Sequence, residues 1–344
     1  MNNRQLWFTK PYTVEILQQP LRPLQPGEVL VHSLYSAISA GSEMLVYQGQ
    51  VPIDMALDTG LDALKQKQAS FPLQYGYAAV GRIEQAGTQV DPSWIGKPVF
   101  AFQPHASHFI TTPSQLVVLP DQINPLAAVF LANTETAVNL VLDGNPQLGE
   151  KVIVLGQGIV GLLVSAVLAR FPLGGLYALD RIAERRSRAI TLGANMACDP
   201  GSTSELAALK KTLSRESAGG GADLVYELTG TPAALNLAID LSGYSGRIVI
   251  GSWYGTRSAD LQLGGSFHRN RIRIISSQVS TIAPELTGRW DKTRRFETAW
   301  EMIRKIRPES LVTHRIPFAS AAEAYQLLDR SPDQALQVIL EYQD

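Results

Sequence analysis

The sequence predicts an α/β protein in which a doubly wound parallel sheet follows a small, partly open β-barrel. Three observations predict it. A β-branched apolar run, Val152-Ile153-Val154-Leu155, passes directly into Gly156-Gln157-Gly158-Ile159-Val160-Gly161 and then into an apolar stretch ending at Arg170: strand, glycine turn, helix. Strand-like runs near Val152, Tyr177, Ala197, Leu224 and Ile248 alternate with helical patterns near Ile159, Ala183, Ser204 and Pro232, the order of a parallel sheet with crossover helices. Before Leu119, by contrast, short strand-like runs follow one another with only turn residues between them.

Taken in order, the first strands are expected at 5–9, 14–17, 28–33, 80–85, 97–102, 108–112 and 115–119, punctuated by Pro20, Pro23, Pro26-Gly27, Gly87, Asp91-Pro92, Gly96 and Pro113. Between Gly49 and Pro72, Leu57, Leu61 and Leu64 recur at helical spacing, which predicts an amphipathic helix inserted in the barrel. Such a helix either packs by one face or covers a substrate. A helix over 127–142 leads into the glycine-turn strand, and a further strand is expected over 271–277. Helices over 296–306 and 321–328 and a strand over 337–340 close the chain. This organisation places domains at 1–122, 123–282 and 283–344, the last returning to the first.

At 344 residues the chain is long enough for two cores. A formal net charge of −1, with no long basic or acidic block, gives no electrostatic reason to expect nucleic acid or an anionic membrane as partner. Arg4, Lys10 and Pro11 interrupt the start of the chain, so no targeting segment is visible. The longest apolar run, 159–169, is too short to span a bilayer. Cys198 is the only cysteine, which rules out intrachain disulfides and multi-cysteine metal sites and suggests a reduced, cytoplasmic setting.

The glycine turn carries chemistry. Gly156 permits the tight turn, Gly158 lets the backbone approach a diphosphate, and Gly161 lets the helix that begins at Ile159 and Val160 lie close to the sheet. The diphosphate then sits at a helix N-terminus, where free N–H groups and the macrodipole favour negative charge. Asp180, at the end of the next apolar run, is placed to accept hydrogen bonds from ribose hydroxyls. An ordinary βα turn is the alternative, but strand, helix and acid together favour a dinucleotide. Asp180 repels a 2′-phosphate and so points to NAD(H), while Arg181 and Arg185 leave NADP(H) open. Two loops at expected strand ends, Thr229-Gly230-Thr231 and Gly251-Ser252-Trp253, lie where such sheets bind ligands.

Several phrases carry a family resemblance: Pro26-Gly27-Glu28-Val29-Leu30-Val31, Gly41-Ser42-Glu43, Gly76-Tyr77, Val80-Gly81-Arg82-Ile83 and Gly156 to Gly161. Their order resembles the medium-chain dehydrogenase/reductase superfamily over nearly the whole chain. The resemblance implies a GroES-like barrel, a Rossmann domain, a substrate groove between them, hydride transfer to or from a nicotinamide, and a homodimer or homotetramer paired through the sheet edge near Ile272 to Ser277. It also exposes departures. Where zinc-dependent members carry a cysteine, a histidine and a glutamate, this chain has Ala40, Tyr77 and Ala78, and Ala127, Ala128 and Val129 offer no further ligand. Zinc needs three or four convergent N, S or O donors, so no catalytic zinc is expected. His105 and His108 flank a strand with no thiolate or nearby carboxylate in sequence and are read as surface or cleft histidines.

Without a Lewis acid, a hydroxyl must manage the substrate proton. Ser42 matches a proton-relaying position of the family and Tyr77 a vanished ligand position, making Tyr77 the leading acid/base or oxyanion donor, with Ser42 as its partner. A packing role for Tyr77 is equally open, and Glu43 is a capping carboxylate before it is a base. Ala37 to Glu43, Tyr75 to Ala78 and Asn133-Thr134-Glu135-Thr136 resemble more closely the zinc-free branch that includes bacteriochlorophyllide hydroxyethyl dehydrogenase. In that resemblance Asn133 and Thr134 face the nicotinamide or cap a helix. The expected activity is interconversion of a secondary alcohol and a ketone, a small-molecule reaction. Quinone or enone reduction and cofactor binding without turnover are the alternatives.

Overall fold

The computed structural model describes residues 2–52, 63, 68–214 and 220–343. The expected helix around Leu57, Leu61 and Leu64 lies outside the described residues. In chain order come β1 (Asn2–Lys10), β2 (Thr13–Pro20), β3 (Val29–Ile38), α1 (Ala40–Tyr47), β4 (Ala79–Ala86), β5 (Pro98–Ala101), β6 (His108–Thr111), β7 (Leu116–Val118) and α2 (Pro125–Ala128). Next are α3 (Leu131–Gly144), β8 (Lys151–Leu155), α4 (Ile159–Leu168), β9 (Gly175–Leu179), α5 (Ala183–Thr191), β10 (Met196–Cys198), α6 (Thr203–Leu213) and β11 (Ala222–Glu227). The remainder is α7 (Ala234–Leu241), β12 (Ser242–Ile250), β13 (Arg273–Ser276), α8 (Lys292–Ile306), β14 (Val312–Pro317), α9 (Ala321–Arg330) and β15 (Gln337–Glu341). Two units partition these: Met1–Ala132 with Ile303–Asp344, and Asn133–Met302.

The first unit is built on a seven-stranded sheet in the order β14-β15-β3-β4-β5-β7, with β6 also pairing β3. Its pairs are antiparallel except β14 with β15. Alternation along the strands sends Val29, Val31, Ile83, Val99, Ala101 and Phe109 into one apolar core. β1 and β2 form a separate antiparallel hairpin, tied on by bridges at Gln5–Ala106 and Phe8–Leu73.

Two elements of this unit are absent from the sequence reading. In α1, Glu43 to Tyr47 are all buried, so the helix shows no polar face from which a 3.6-residue period is read. β14 is half-exposed and carries Thr313, His314 and Arg315, so it lacks the apolar run of an interior strand. The single helix expected over 127–142 is two helices, α2 and α3, with a turn at Val129 and Phe130 between them.

The second unit holds six parallel strands in the order β10-β9-β8-β11-β12-β13. The order reverses between β8 and β11, and ligands of doubly wound sheets bind beyond the strand ends at such a switch point. Ile153, Leu155, Leu179, Val225 and Ile248 pack with helix residues Leu209, Leu213, Leu235 and Ile239.

Arg295 of α8 is 1% exposed and anchors α3. Its guanidinium donates to Glu135 Oε1 at 2.9 and 2.7 Å, to Asn139 Oδ1 at 2.6 Å, and to the carbonyls of Thr281 and Val279 at 3.0 and 2.5 Å. That uses all five N–H groups of the side chain. These bonds hold most of α8 in the second unit, whose boundaries fall at 132/133 and 302/303 rather than at the expected 122/123 and 282/283. Among the described residues no helix is long and apolar enough to cross a membrane.

Candidate active site

The glycine turn in the second unit is shaped by close backbone approach. Gly156 has φ +86°, and a Cβ there would sit 2.6 Å from the Leu228 carbonyl oxygen. A Cβ on Gly161 would overlap the Gly156 carbonyl oxygen, whereas one on Gly158 would meet nothing within 4 Å. Gly158 is the N-cap of α4, so the open space faces a helix N-terminus. Ile159, just inside the helix, is buried and Val160 half-buried.

Asp180 is drawn into this turn. Its Oδ2 accepts the Gln157 N–H at 2.7 Å and its Oδ1 the Ile182 N–H at 2.8 Å, which fixes the carboxylate at the end of β9. Each oxygen keeps a lone pair beyond these bonds. Arg181 is exposed beside it, and Arg186 donates to the carbonyls of both Asp180 and Arg181.

The loops after β11 and β12 are stitched together. Gly230 N–H donates to Ser252 Oγ at 2.9 Å, and Gly251 N–H to the Glu227 carbonyl at 3.1 Å. Buried Glu227 holds Thr229 through its N–H at 2.8 Å and its hydroxyl at 2.5 Å, and accepts the Tyr254 hydroxyl at 2.5 Å. Burial, reinforced by Glu227, raises the Tyr254 pKa and keeps that phenol protonated. Asn133 and Thr134 of α3 are buried, and Thr134 Oγ1 makes no hydrogen bond among the described residues. An orphaned buried hydroxyl, an open helix N-terminus and a fixed carboxylate with spare lone pairs fit a dinucleotide.

The first unit gathers a hydroxyl cluster. Glu43 reaches back from α1 to accept the Ser39 N–H at 2.8 Å, and the Ser39 hydroxyl takes no part in capping. That hydroxyl instead accepts from Tyr77 OH at 2.5 Å, and Ser42 Oγ lies 3.2 Å from the same phenol. Tyr77 and Ser42, paired on sequence grounds, are thus brought together, with Ser39 between them and Glu43.

Beneath the cluster runs a buried chain. His105 Nε2 lies 3.0 Å from Glu43 Oε2, His105 Nδ1 lies 2.7 Å from Ser36 Oγ, and Ser36 Oγ lies 2.8 Å from Tyr342 OH. Tyr325 OH donates to Glu43 Oε2 at 2.5 Å. Burial is the main cause raising the Tyr325 and Tyr342 pKa values, so both phenols remain protonated. Glu43 is fully buried with both oxygens engaged, the arrangement of a positioning carboxylate.

This corrects the expectation that His105 and His108 lack a nearby carboxylate. Glu43 lies beside His105, and Glu84 lies 3.6 Å from His108 Nε2. The partners are distant in sequence and meet only through strand pairing and α1. Ser39 and Tyr325 are given no role in the sequence reading for the same reason, and His105, read there as a surface or cleft histidine, is buried.

Comparison with known proteins bears on what this arrangement serves. Residues 160–303 match the family model described as zinc-binding dehydrogenase. D-guloside 3-dehydrogenase of Escherichia coli K12 is 25% identical over 97% of this chain and 99% of its own length. (R,R)-butanediol dehydrogenase of Bacillus subtilis 168 is 25% identical over 79% of this chain and 81% of its own. The solved 2R,3R-butanediol dehydrogenase of Bacillus subtilis superposes with a TM-score of 0.79 at 19% identity, covering 98% of this chain and 99% of that one. An alcohol dehydrogenase of Escherichia coli CFT073, solved in complex with NADH, gives 0.78 at 19% identity, covering 99% of each chain. Residues 160–303 thus match the zinc-binding dehydrogenases, and nearly the whole chain is similar to dehydrogenases of the medium-chain dehydrogenase/reductase type.

At the positions that the resemblance gives to a catalytic zinc, the donor set of this chain is poor. Ala40 and Ala78 have no ligand atom, and the Tyr77 hydroxyl is engaged by Ser39 and Ser42. Ala127, Ala128 and Val129 are buried and equally without donors. The segment matched by the family model, 160–303, contains none of these positions.

Proposed function

We propose that this chain is an NAD(H)-dependent oxidoreductase of the zinc-free branch that interconverts a secondary alcohol of a sugar or polyol with its ketone. The substrate class follows from similarity to D-guloside 3-dehydrogenase and (R,R)-butanediol dehydrogenase. One observation carries the chemistry: the Tyr77 phenol is hydrogen-bonded by Ser39 and Ser42, at a position that the family resemblance gives to a metal ligand.

Bound NAD supplies the hydride acceptor for alcohol oxidation and, when reduced, the donor for ketone reduction. In the reductive direction Tyr77 donates a hydrogen bond and then its proton to the substrate oxygen. Ser39 and Ser42 orient the phenol, and Glu43, His105 and Tyr325 hold the loop that bears Ser39. Asp180 accepts hydrogen bonds from the adenosine ribose, Gly158 admits the diphosphate, and Asn133 and Thr134 serve the nicotinamide end. Arg181 and the loops Thr229-Gly230 and Gly251-Ser252 complete the cofactor contacts. The protein acts in the cytoplasm as a homodimer or homotetramer; β13 ends its sheet and offers an edge for a second copy, which light scattering would test.

Ketone and enone panels assayed with NADH and NADPH test the reading. Ketone reduction is expected, with Tyr77→Phe lowering turnover by about 10²–10⁴-fold at unchanged NADH affinity. Consumption of enones but no ketone would overturn it in favour of an enone reductase, and NADH binding without any turnover in favour of a binding protein. Turnover should survive exhaustive chelation; loss that zinc restores would remove the zinc-free assignment.

A further inference from the structure

We propose that His32, Glu84 and His108 form a binding site for one zinc-class divalent ion on the face of the first unit's sheet opposite its apolar core. The strand register sets the two imidazoles side by side. His32 of β3 pairs directly with His108 of β6, and their rings stack with centroids 4.7 Å apart and planes 18° from parallel. Glu84 joins them through an irregularity in β4: Ile83 pairs with Val31 and Gln85 with Leu30, so Glu84 is the additional residue of a β-bulge. A bulge re-aims the side chain it carries.

The distances suit a metal. Glu84 Oε1 lies 3.6 Å from His32 Nδ1, and Oε2 lies 3.6 Å from His108 Nε2. One ligand atom from each of the three residues falls within 4.8 Å of the others. Ligands bound tetrahedrally at about 2.0–2.1 Å stand roughly 3.4 Å apart, so small side-chain adjustments close the site. Two imidazole nitrogens and a carboxylate are a donor set for zinc, cobalt or nickel rather than for calcium or magnesium, which take oxygen.

The proton on His108 is already placed for ligation. Ser107 Oγ donates to Asn3 Oδ1 at 3.1 Å and accepts the Arg4 N–H at 2.9 Å, leaving its other lone pair for His108 Nδ1 at 3.1 Å. Asn3 Oδ1 also accepts the His108 backbone N–H at 3.0 Å, which fixes the amide as the acceptor in this chain. Nδ1 of His108 is thereby the donor to Ser107, and Nε2 is the ring atom that faces Glu84. Metal-bound histidines are held in this manner, by a hydrogen bond from the ring nitrogen that does not ligate. Three protein ligands leave the fourth position to water, and the bound ion clamps β4 to β6 across β3.

The test uses the full chain, stripped with chelator, dialysed and titrated with zinc chloride by calorimetry. One equivalent should bind, with affinity lowered at least about tenfold in His108→Gln and in Glu84→Gln. Zinc should raise the melting temperature of the wild type and not of the variants. Among the five histidines, the His32 and His108 imidazole resonances should be the ones that shift, a readout that needs no variant. Turnover of both variants should match the wild type, which separates this site from any metal at positions 40, 77 and 78. No uptake, uptake that both variants retain, a response at other histidines, or magnesium bound as tightly as zinc would each overturn the proposal. An imidazolium at His108 in neutral solution without zinc uptake would also overturn it and leave a proton-bridged ion pair.

Discussion

Replacing Gly158 with alanine should leave the fold intact and remove most of the dinucleotide affinity. Gly158 has φ −66° and ψ −175°, a conformation alanine adopts freely, and its added Cβ meets nothing within 4 Å. Reduced freedom of the unfolded chain favours alanine by about 0.4–1 kcal/mol, and the poorer N-cap opposes it by a few tenths. The two nearly cancel, so the melting temperature of the cofactor-free protein should move by no more than about 4 °C. Binding is another matter, because the methyl group fills the space through which a diphosphate reaches the α4 N-terminus. Losing one charge-assisted hydrogen bond there costs about 1.5–3 kcal/mol, or roughly 10- to 150-fold in Kd. Gly161→Ala is the contrasting case: its Cβ overlaps the Gly156 carbonyl, so that variant should lose stability before cofactor is added. Calorimetric titration with NADH beside thermal melts measures both effects. A folded Gly158→Ala protein that binds NADH as tightly as the wild type would refute the placement of the diphosphate.

Other consequences are equally open to measurement. Asp180→Gly should weaken NADH and favour NADPH, read from titrations with both; unchanged discrimination would remove Asp180 from that role. Arg295→Met strands the buried Glu135 carboxylate, whose pKa burial already raises, and should cost about 3–5 kcal/mol in denaturant unfolding. Glu135→Leu combined with Arg295→Met should recover most of that loss, and equal stability of the single and double variants would contradict the account. Burial raises the Asp143 pKa above its ordinary 3.8, so the folded chain holds that proton more tightly than the unfolded one. Its contribution to stability is full below 3.8 and is lost as pH rises through the raised value, so Asp143→Asn should gain melting temperature over the wild type at neutral pH and not in acid. Cys198 is buried, and burial raises its thiol pKa, so it should react with a thiol reagent only on unfolding.

The sequence shows most plainly what is local. The Val152 to Leu155 strand, the three glycines and Asp180 lie within one βαβ unit, and their geometry follows from neighbouring residues. The alternation of later strands and helices likewise survives into the six-stranded sheet. What is hidden is what distant segments bring together. Arg295 meets Glu135 across 160 residues, His105 meets Glu43 across 62, and His32, Glu84 and His108 converge from three strands. No periodicity encodes such pairs, and the bulge that turns Glu84 toward the histidines is a matter of register. Ser42 beside Tyr77 is legible only because the family resemblance gives one a relay position and the other a ligand position; Ser39, closer to the phenol, is given no role by it.

Gly76 and His105 are bound to one another's history. A Cβ at residue 76 would come 2.7 Å from the imidazole, and φ there is +118°, which side chains other than glycine's rarely tolerate. Trimming residue 105 first would make room, yet it would strip Glu43 of a partner in the interior and leave the backbone angle unchanged. Either order of replacement passes through a damaged ancestor. Descendants that keep the imidazole should therefore keep the glycine, and one-step drift at either position should be rare.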